Sequence, residues 1–264
     1  MTRGLVTAVS CNGAYTFSKA VRGGIVLVPG WGVRGDVHAG VTVRHRSRVA
    51  ADPGQPNLRQ VHLLHRELFD EVGAKGHAVP EGGLGENVTT SGLDLIGLPC
   101  GTVLRFGHVA GAAPGFEPIG GAARRSAASA TDASRAPGPE GADERDVPAD
   151  GSALDVVAAG RRTTVKAGMD DVVDVLEGAV RAELARGDGD GRAAVVVTGL
   201  RNPCAQIDRF RPGLLKEVLG RDRSGRVVRR AGIMAVVVRG GVVAPGAPVV
   251  AEVPTGAHRP LDWV

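Results

Sequence analysis

Residues 198–208, TGLRNPCAQID, decide how the rest of the chain is interpreted. They continue the apolar run at 193–197, AAVVV, which is typical of a buried strand. Pro203 stiffens the turn before Cys204, and the charges of Arg201 and Arg209 favour a thiolate over a thiol. A thiolate can attack sulfur, carry a persulfide or ligate a soft metal. Most free cysteines are small buried hydrophobic residues, so these residues alone leave both interpretations open.

Short apolar runs separated by glycine predict further strands on both sides of this stretch. They are GIVLVPG at 24–30, GLPCGTVLRFG at 97–107, GIMAVVVRGG at 232–241 and VVAPGAPVVAEV at 242–253. RQVHLLHRELFDEV at 59–72 is ambiguous at its start and helical from about His65, and GLLKEVLG at 213–220 predicts a short helix. The sequence therefore predicts a mainly β protein with a few helices (α+β) and a closed or barrel-like architecture.

The composition changes in the middle of the chain. Residues 110–151 are almost devoid of large apolar side chains, so we expect them to be disordered. Residues 169–187 predict an amphipathic helix, with Val172, Leu176, Val180 and Leu184 on one face. We interpret residues 1–264 as a single domain interrupted by an insertion at about 110–192.

Composition and charge narrow the class of ligand. The chain has 264 residues, a formal net charge of +4 and only 3% aromatic residues. Its arginines are scattered, which favours a small anionic ligand over nucleic acid. Three widely spaced cysteines make neither a disulfide framework nor a zinc cage and suit a reducing compartment. No apolar run approaches the roughly 20 residues that span a bilayer, so we expect a cytoplasmic protein without a membrane partner.

Three further motifs carry candidate binding residues. WGVRGDVHAG at 31–40 contains His38, and VRHRSR at 43–48 would, if extended, direct Arg44, Arg46 and Arg48 to one side as an anion clamp beside His45. GGLGENV at 82–88 could present backbone N–H groups and the Asn87 amide to a ligand. Each motif is equally compatible with a turn or a solvated charge run.

The order of these motifs along the chain resembles that of the MOSC family, named for the C-terminal domain of molybdenum cofactor sulfurases. GDVHAG, RQVHLLHRELFDEV, GLGENVTTSGLDLIGLPCGTVLRFG, VTGLRNPCAQIDRF and RRAGIMAVVVRGGVVAPGAPV follow one another. The resemblance covers roughly residues 3–109 and 193–254 and is strongest to the stand-alone bacterial type. It implies a β-barrel-like fold and a pocket for the pterin form of the molybdenum cofactor. The family usually has a short turn where this chain has its insertion.

The resemblance also implies roles for individual residues. It identifies Cys204 as a sulfur carrier or molybdenum ligand, with Arg201 and Asn87 lining the site. The basic cluster of Arg44, His45, Arg46 and Arg48 would bind the pterin phosphate, His38 would contact the cofactor, and Asp208 would transfer protons. The pyridoxal phosphate domain of full-length sulfurases has no counterpart here, so no such site is expected. Redox activity would need a separate reductase, and sulfur transfer a donor protein.

Three functions remain open from the sequence. The first is a molybdenum-dependent enzyme that reduces N-hydroxylated compounds, or a sulfurtransferase acting on the cofactor. The second is metal-independent cleavage or exchange of a C–S bond in a small thiol adduct by Cys204. The third is a non-catalytic cofactor carrier. Metal and pterin analysis distinguishes the first from the second, and turnover with reductant supplied distinguishes the third.

Overall fold

The computed structural model describes residues 1–108, 152–162, 169–186 and 190–264. Its strands, in chain order, are β1 (Thr2–Cys11), β2 (Ala20–Arg22), β3 (Ile25–Val28), β4 (Gly32–Val33), β5 (Val61–His65), β6 (Val88–Ser91), β7 (Val103–Phe106), β8 (Ala193–Leu200), β9 (Leu219–Arg221), β10 (Val227–Arg229), β11 (Ile233–Arg239), β12 (Gly241–Val243) and β13 (Pro248–Glu252). The described α-helices are α1 (Arg46–Ala51), α2 (Glu67–Gly73), α3 (Ala153–Ala159), α4 (Asp170–Leu184), α5 (Gln206–Phe210) and α6 (Leu214–Val218).

Seven of these strands close into a barrel. Their order is β13-β7-β8-β11-β5-β6-β1, and β1 pairs back onto β13 through the register Thr2↔Ala251 to Leu5↔Pro248. Strands β5 and β6 run parallel, whereas the other described pairings of the barrel are antiparallel. Strand β2 extends the far end of β1, and β12, β3 and β4 form a small separate sheet. The prediction of a mainly β, barrel-like fold is confirmed.

Strand β8, AAVVVTGL, is apolar apart from Thr198 because both of its faces are buried, and the Thr198 hydroxyl bonds to the Leu58 and Met234 carbonyls. Val195 and Val197 point into the barrel core, whereas Ala194 and Val196 pack outside it against α3 and α4. The helices from the predicted insertion therefore lie on the outer face of the barrel wall. A third apolar cluster joins α2, α5 and α6 near the end of the barrel at which β8 finishes.

Helix α4 is anchored to the barrel by buried charge as well as by apolar contact. Its buried positions are Val173, Leu176, Val180 and Glu183, whereas Leu184 is half exposed. Leu176 and Val180 of the predicted face are buried, but at its two ends Val173 and Glu183 are buried in place of Val172 and Leu184, because a strict four-residue spacing drifts from the 3.6-residue period. Glu183 contacts the buried Arg105 Nη2 of β7 and lies 2.8 Å from Arg239 Nε of β11.

The ambiguous start of RQVHLLHRELFDEV contains strand β5, VHLLH, and the helix that we expected from about His65 begins at Glu67. One local interpretation differs from the structure. VRHRSR is not extended, because helix α1 begins at Arg46. The stretch 110–151, for which we predicted disorder, lies entirely outside the described residues. No described helix is both long and apolar enough to cross a membrane.

Candidate functional site

A cavity of about 190 Å³ opens at the end of the barrel where β1 and β8 finish and where β6 and β11 begin. Its wall comes from the loops after β1 and β4, the segment before β5, the loop before β6 and the residues after β8. The described lining residues are Tyr15, Thr16, Phe17, Lys19, His38, Val43, Arg44, His45, Arg46, Asn57, Arg59, His62, Leu84, Gly85, Asn87, Arg201, Gln206 and Met234. This set holds five lysine or arginine residues and no carboxylate, so the cavity suits an anion.

Of these cations, Arg201 gives the strongest indication of an anionic ligand. Its side chain is only 9% exposed, and its Nη1 atom is buried without a hydrogen-bond partner among the described residues. The guanidinium lies 6.0 Å from the Phe17 ring centroid. Burial lowers the pKa of Arg201, because the charged form loses its hydration there. A buried charge without full pairing is costly to the fold, and an anionic ligand would supply the missing acceptor.

Arg59 adds a second guanidinium to the same wall. Burial and the charges of Arg48 and Arg201 lower the pKa of Arg59 to about 9. Its Nη1 donates a hydrogen bond to the backbone oxygen of Val264. Arg48, Arg59 and Arg201 thus concentrate positive charge next to the cavity, and Arg48 and Arg59 both donate hydrogen bonds to the Val264 oxygen.

Two imidazole rings stack inside this cationic surface. The His38 and His45 ring centroids are 5.7 Å apart with planes inclined by 29°. Burial, followed by the charges of Arg59, His38, Arg201 and Arg48, lowers the pKa of His45 to about 4. His45 is therefore neutral at pH 7, when it can contribute a hydrogen bond but no charge to a ligand.

Asp36 organises the polar base of the cavity from behind its wall. The Asp36 carboxylate is 2.7 Å from Lys19 Nζ, accepts a 2.9 Å hydrogen bond from Asn87 Nδ2, and lies 3.3 Å from His38 Nδ1. Burial acts to raise the pKa of Asp36, but Lys19 and the hydrogen bonds from His38 outweigh it and hold this pKa well below its usual range. The carboxylate is therefore ionised at neutral pH and orients Lys19, Asn87 and His38.

The loop GGLGENV, which we predicted to contact a ligand, lines the cavity through Leu84, Gly85 and Asn87 and is also held by hydrogen bonds within the fold. The buried Glu86 carboxylate accepts hydrogen bonds from the backbone N–H groups of Gly82 and Leu84. Gly82 has φ 76°, and a Cβ there would overlap the Lys19 carbonyl, so only glycine lets the two cavity loops meet. The Asn87 amide reaches the cavity wall but is already bonded to Asp36 and to the Ser10 carbonyl.

Cys204 lies just outside the cavity lining, at the start of α5. Its side chain is half buried, and its thiol donates a 3.5 Å hydrogen bond to Gln206 Oε1, which lines the cavity. A Cys204 thiolate acts electrostatically on both Arg201 and Arg59, opposing the fall in their pKa. The structure therefore brings together the cysteine and Arg201, as predicted, and adds Arg59.

The predicted arginine cluster divides because of helix α1. Arg44 and Arg46 line the cavity, and the Arg46 guanidinium lies 4.9 Å from the Tyr15 ring centroid. Arg48 is not among the described lining residues, and its Nη2 donates a 3.0 Å hydrogen bond to the same Val264 oxygen that Arg59 contacts. The structure does not bring Asp208 to the cavity, since its Oδ1 accepts a 2.9 Å hydrogen bond from the Leu215 N–H at the start of α6.

Sequence reasoning missed several residues of the cavity wall. Lys19, Tyr15 and Arg59 lie outside the motifs that we singled out as binding elements. Asp36 belongs to the GDVHAG motif, in which we singled out only His38. A basic residue such as Arg59 before an apolar run carried no distinguishing local signal.

Comparisons with known proteins bear on the fold. No protein-family model matches the sequence, and a search of curated proteins found no match. The YuaD protein from Bacillus subtilis has a similar structure, with a TM-score of 0.53 and 17% identity, covering 96% of this chain and 97% of that one. YiiM from Geobacillus stearothermophilus aligns with a TM-score of 0.43 and 12% identity, over 94% and 75% of the two chains. YiiM from Escherichia coli gives 0.42 and 14%, over 98% and 74%. The likeness to YuaD shows a shared fold.

Proposed function

We propose that this chain is a MOSC-domain protein of the stand-alone bacterial type and that its cavity binds the molybdenum cofactor through the anionic end of the pterin. The buried Arg201 guanidinium with its unpartnered Nη1 is the observation that carries the proposal. The barrel fold and the order of the sequence motifs support it.

The residues of the cavity fit such a group. Arg44, Arg46, Arg59 and Arg201 would hold the phosphate, because guanidinium groups bind phosphate through paired N–H donors. Neutral His45 would add a hydrogen bond without repelling these cations. Cys204 is the metal ligand or sulfur carrier of the proposal, since a thiolate beside guanidinium charge suits a soft metal. When bound, the cofactor supplies redox or sulfur chemistry at molybdenum.

The described helices of the insertion leave this site accessible. Helices α3 and α4 pack against the outer barrel wall, and no described residue between 152 and 186 lines the cavity. Within the described part of the chain, the insertion therefore adds nothing that would exclude the cofactor. Reduction of N-hydroxylated compounds and sulfur transfer both remain compatible with the cavity.

Metal and pterin analysis of protein produced in a cofactor-competent host tests the proposal. We expect pterin and molybdenum in near-equal amounts in the wild type, and loss of molybdenum with retained fold in Cys204→Ala. Cys100→Ala is the matched control, because Cys100 is buried against the outer helices and should not affect metal content. Active protein that contains neither pterin nor molybdenum would favour metal-independent cysteine chemistry, and loaded protein that turns over nothing with reductant supplied would favour a carrier.

A further inference from the structure

We propose that His38 is the proton-accepting group of the cavity and that Asp36 is the positioning residue that fixes its tautomer. This inference rests on the proposed function for the identity of the ligand, whereas the arrangement of Asp36 and His38 is independent of that function. It assigns proton transfer to a residue pair of the loop after β4 and not to Asp208, which the structure holds elsewhere.

The contacts of Asp36 determine which ring nitrogen of His38 carries the proton. The His38 backbone N–H donates a 3.0 Å hydrogen bond to Asp36 Oδ1, and His38 Nδ1 lies 3.3 Å from the same oxygen. Because an ionised carboxylate only accepts hydrogen bonds, Nδ1 must carry the proton. In the neutral ring Nε2 then has a free lone pair.

The second oxygen of Asp36 is fully engaged, which makes this orientation rigid. Lys19 Nζ and Asn87 Nδ2 both approach Asp36 Oδ2, at 2.7 Å and 2.9 Å. The Asp36 and Lys19 side chains are 3% and 5% exposed, so water does not compete strongly. The carboxylate cannot rotate without losing these donors, and it keeps Oδ1 directed at His38.

Nε2 of His38 is the available end of the ring. The His38 side chain is 29% exposed and lines the cavity, and no described residue makes a hydrogen bond to Nε2. His45, stacked against it, differs in its surroundings because arginines and not a carboxylate act on it. When two adjacent titratable groups have different surroundings, one can transfer protons while the other stays neutral and only forms hydrogen bonds.

The step itself is a proton transfer. A heteroatom of the arginine-bound ligand gives its proton to Nε2 and keeps the electron pair, and the resulting imidazolium is stabilised by Asp36. Return of the same proton to the product restores the Nδ1–H ring. The ligand class is therefore a small anion that carries an ionisable N–H, O–H or S–H group near its charged end.

Long-range ¹H–¹⁵N NMR of histidine-labelled protein tests the assignment directly. In the neutral ring we expect the Nδ1–H pattern for His38, assigned with His38→Gln. In Asp36→Asn the amide oxygen should turn to Lys19 and Asn87, and its NH₂ should donate to Nδ1, which forces the Nε2–H tautomer. Asp94→Asn, a distant carboxylate change, should leave the His38 pattern unaltered.

Bromoacetate, a small anionic alkylating agent, gives a second reading. The Nε2 lone pair attacks the methylene carbon and bromide leaves, so peptide mapping reports which ring nitrogen is free. We expect His38 to be modified at Nε2 and Asp36→Asn to slow this reaction roughly tenfold or more, as expected for loss of a charged hydrogen bond. An Nε2–H pattern for His38 in the wild type overturns the inference even if the variant fails to fold. Neither readout depends on molybdenum, so absence of cofactor would contradict the proposed function alone.

Discussion

Replacing Arg201 with methionine tests whether its guanidinium group binds a ligand or stabilises the fold. Each charged hydrogen bond that the guanidinium makes to an anion is worth about 1.5–3 kcal/mol, which corresponds to roughly 10- to 150-fold in affinity. The same guanidinium is 9% exposed and leaves Nη1 unpartnered in the protein without ligand. Removing this buried charge should therefore leave the free energy of unfolding unchanged or raise it by up to about 3 kcal/mol.

The assay combines titration calorimetry with inorganic pyrophosphate and thermal unfolding of the same samples. We expect Arg201→Met to bind pyrophosphate 10- to 150-fold more weakly, with a melting temperature equal to or above that of the wild type. Arg209→Met is the matched control, because Arg209 lies exposed on α5, and it should retain both properties. Wild-type affinity in Arg201→Met, or a large loss of stability, would refute the assignment of Arg201 as a ligand-binding residue.

Three other perturbations test separate parts of the structure. Glu183→Gln leaves two arginines of the barrel without their buried partner and should lower the unfolding free energy by about 3–5 kcal/mol, or the melting temperature by roughly 6–20 °C. Glu177 is only half-buried, so Glu177→Gln should lower the unfolding free energy by less than about 1 kcal/mol. Equal destabilisation by the two substitutions, measured by chemical and thermal unfolding, would contradict a buried ion network. The pKa of His45 is lowered from 6.5 in the unfolded chain to about 4 in the fold, so the unfolded chain binds a proton first as the pH falls. The free energy of unfolding should therefore decrease from about pH 6.5 to about pH 4, and urea titrations of His45→Gln should show a smaller decrease over this range. Iodoacetamide should modify the half-buried Cys204 faster than Cys11, because burial and the Asp36 carboxylate raise the pKa of Cys11 to about 11. Peptide mass spectrometry that finds Cys11 modified first would contradict an accessible Cys204.

The sequence by itself determined the elements of the barrel and one centre of the site. Apolar runs bounded by glycine predicted the barrel strands β7, β8, β11 and β13, as well as β3 of the small separate sheet. In β8 and most of β11 both faces are buried, which explains their continuous apolar runs, whereas burial alternates along β3 and β13. The stretch TGLRNPCAQID also placed Arg201 and Cys204 close together, since only two residues separate them along the chain. Local patterns are sufficient where the interacting residues are neighbours in sequence.

The tertiary structure alone decided which distant residues share the cavity. Pairing of β1 with β13 closes the barrel across nearly the whole chain. In the folded protein the loop of Lys19 lies beside Asp36, and Arg59 lies near Arg201. Helix α1 begins at Arg46, and Arg48 contacts the Val264 oxygen instead of lining the cavity with Arg44, which no charge count could reveal. These arrangements depend on strand register and on burial of charge, and both arise from contacts between segments that the sequence keeps far apart.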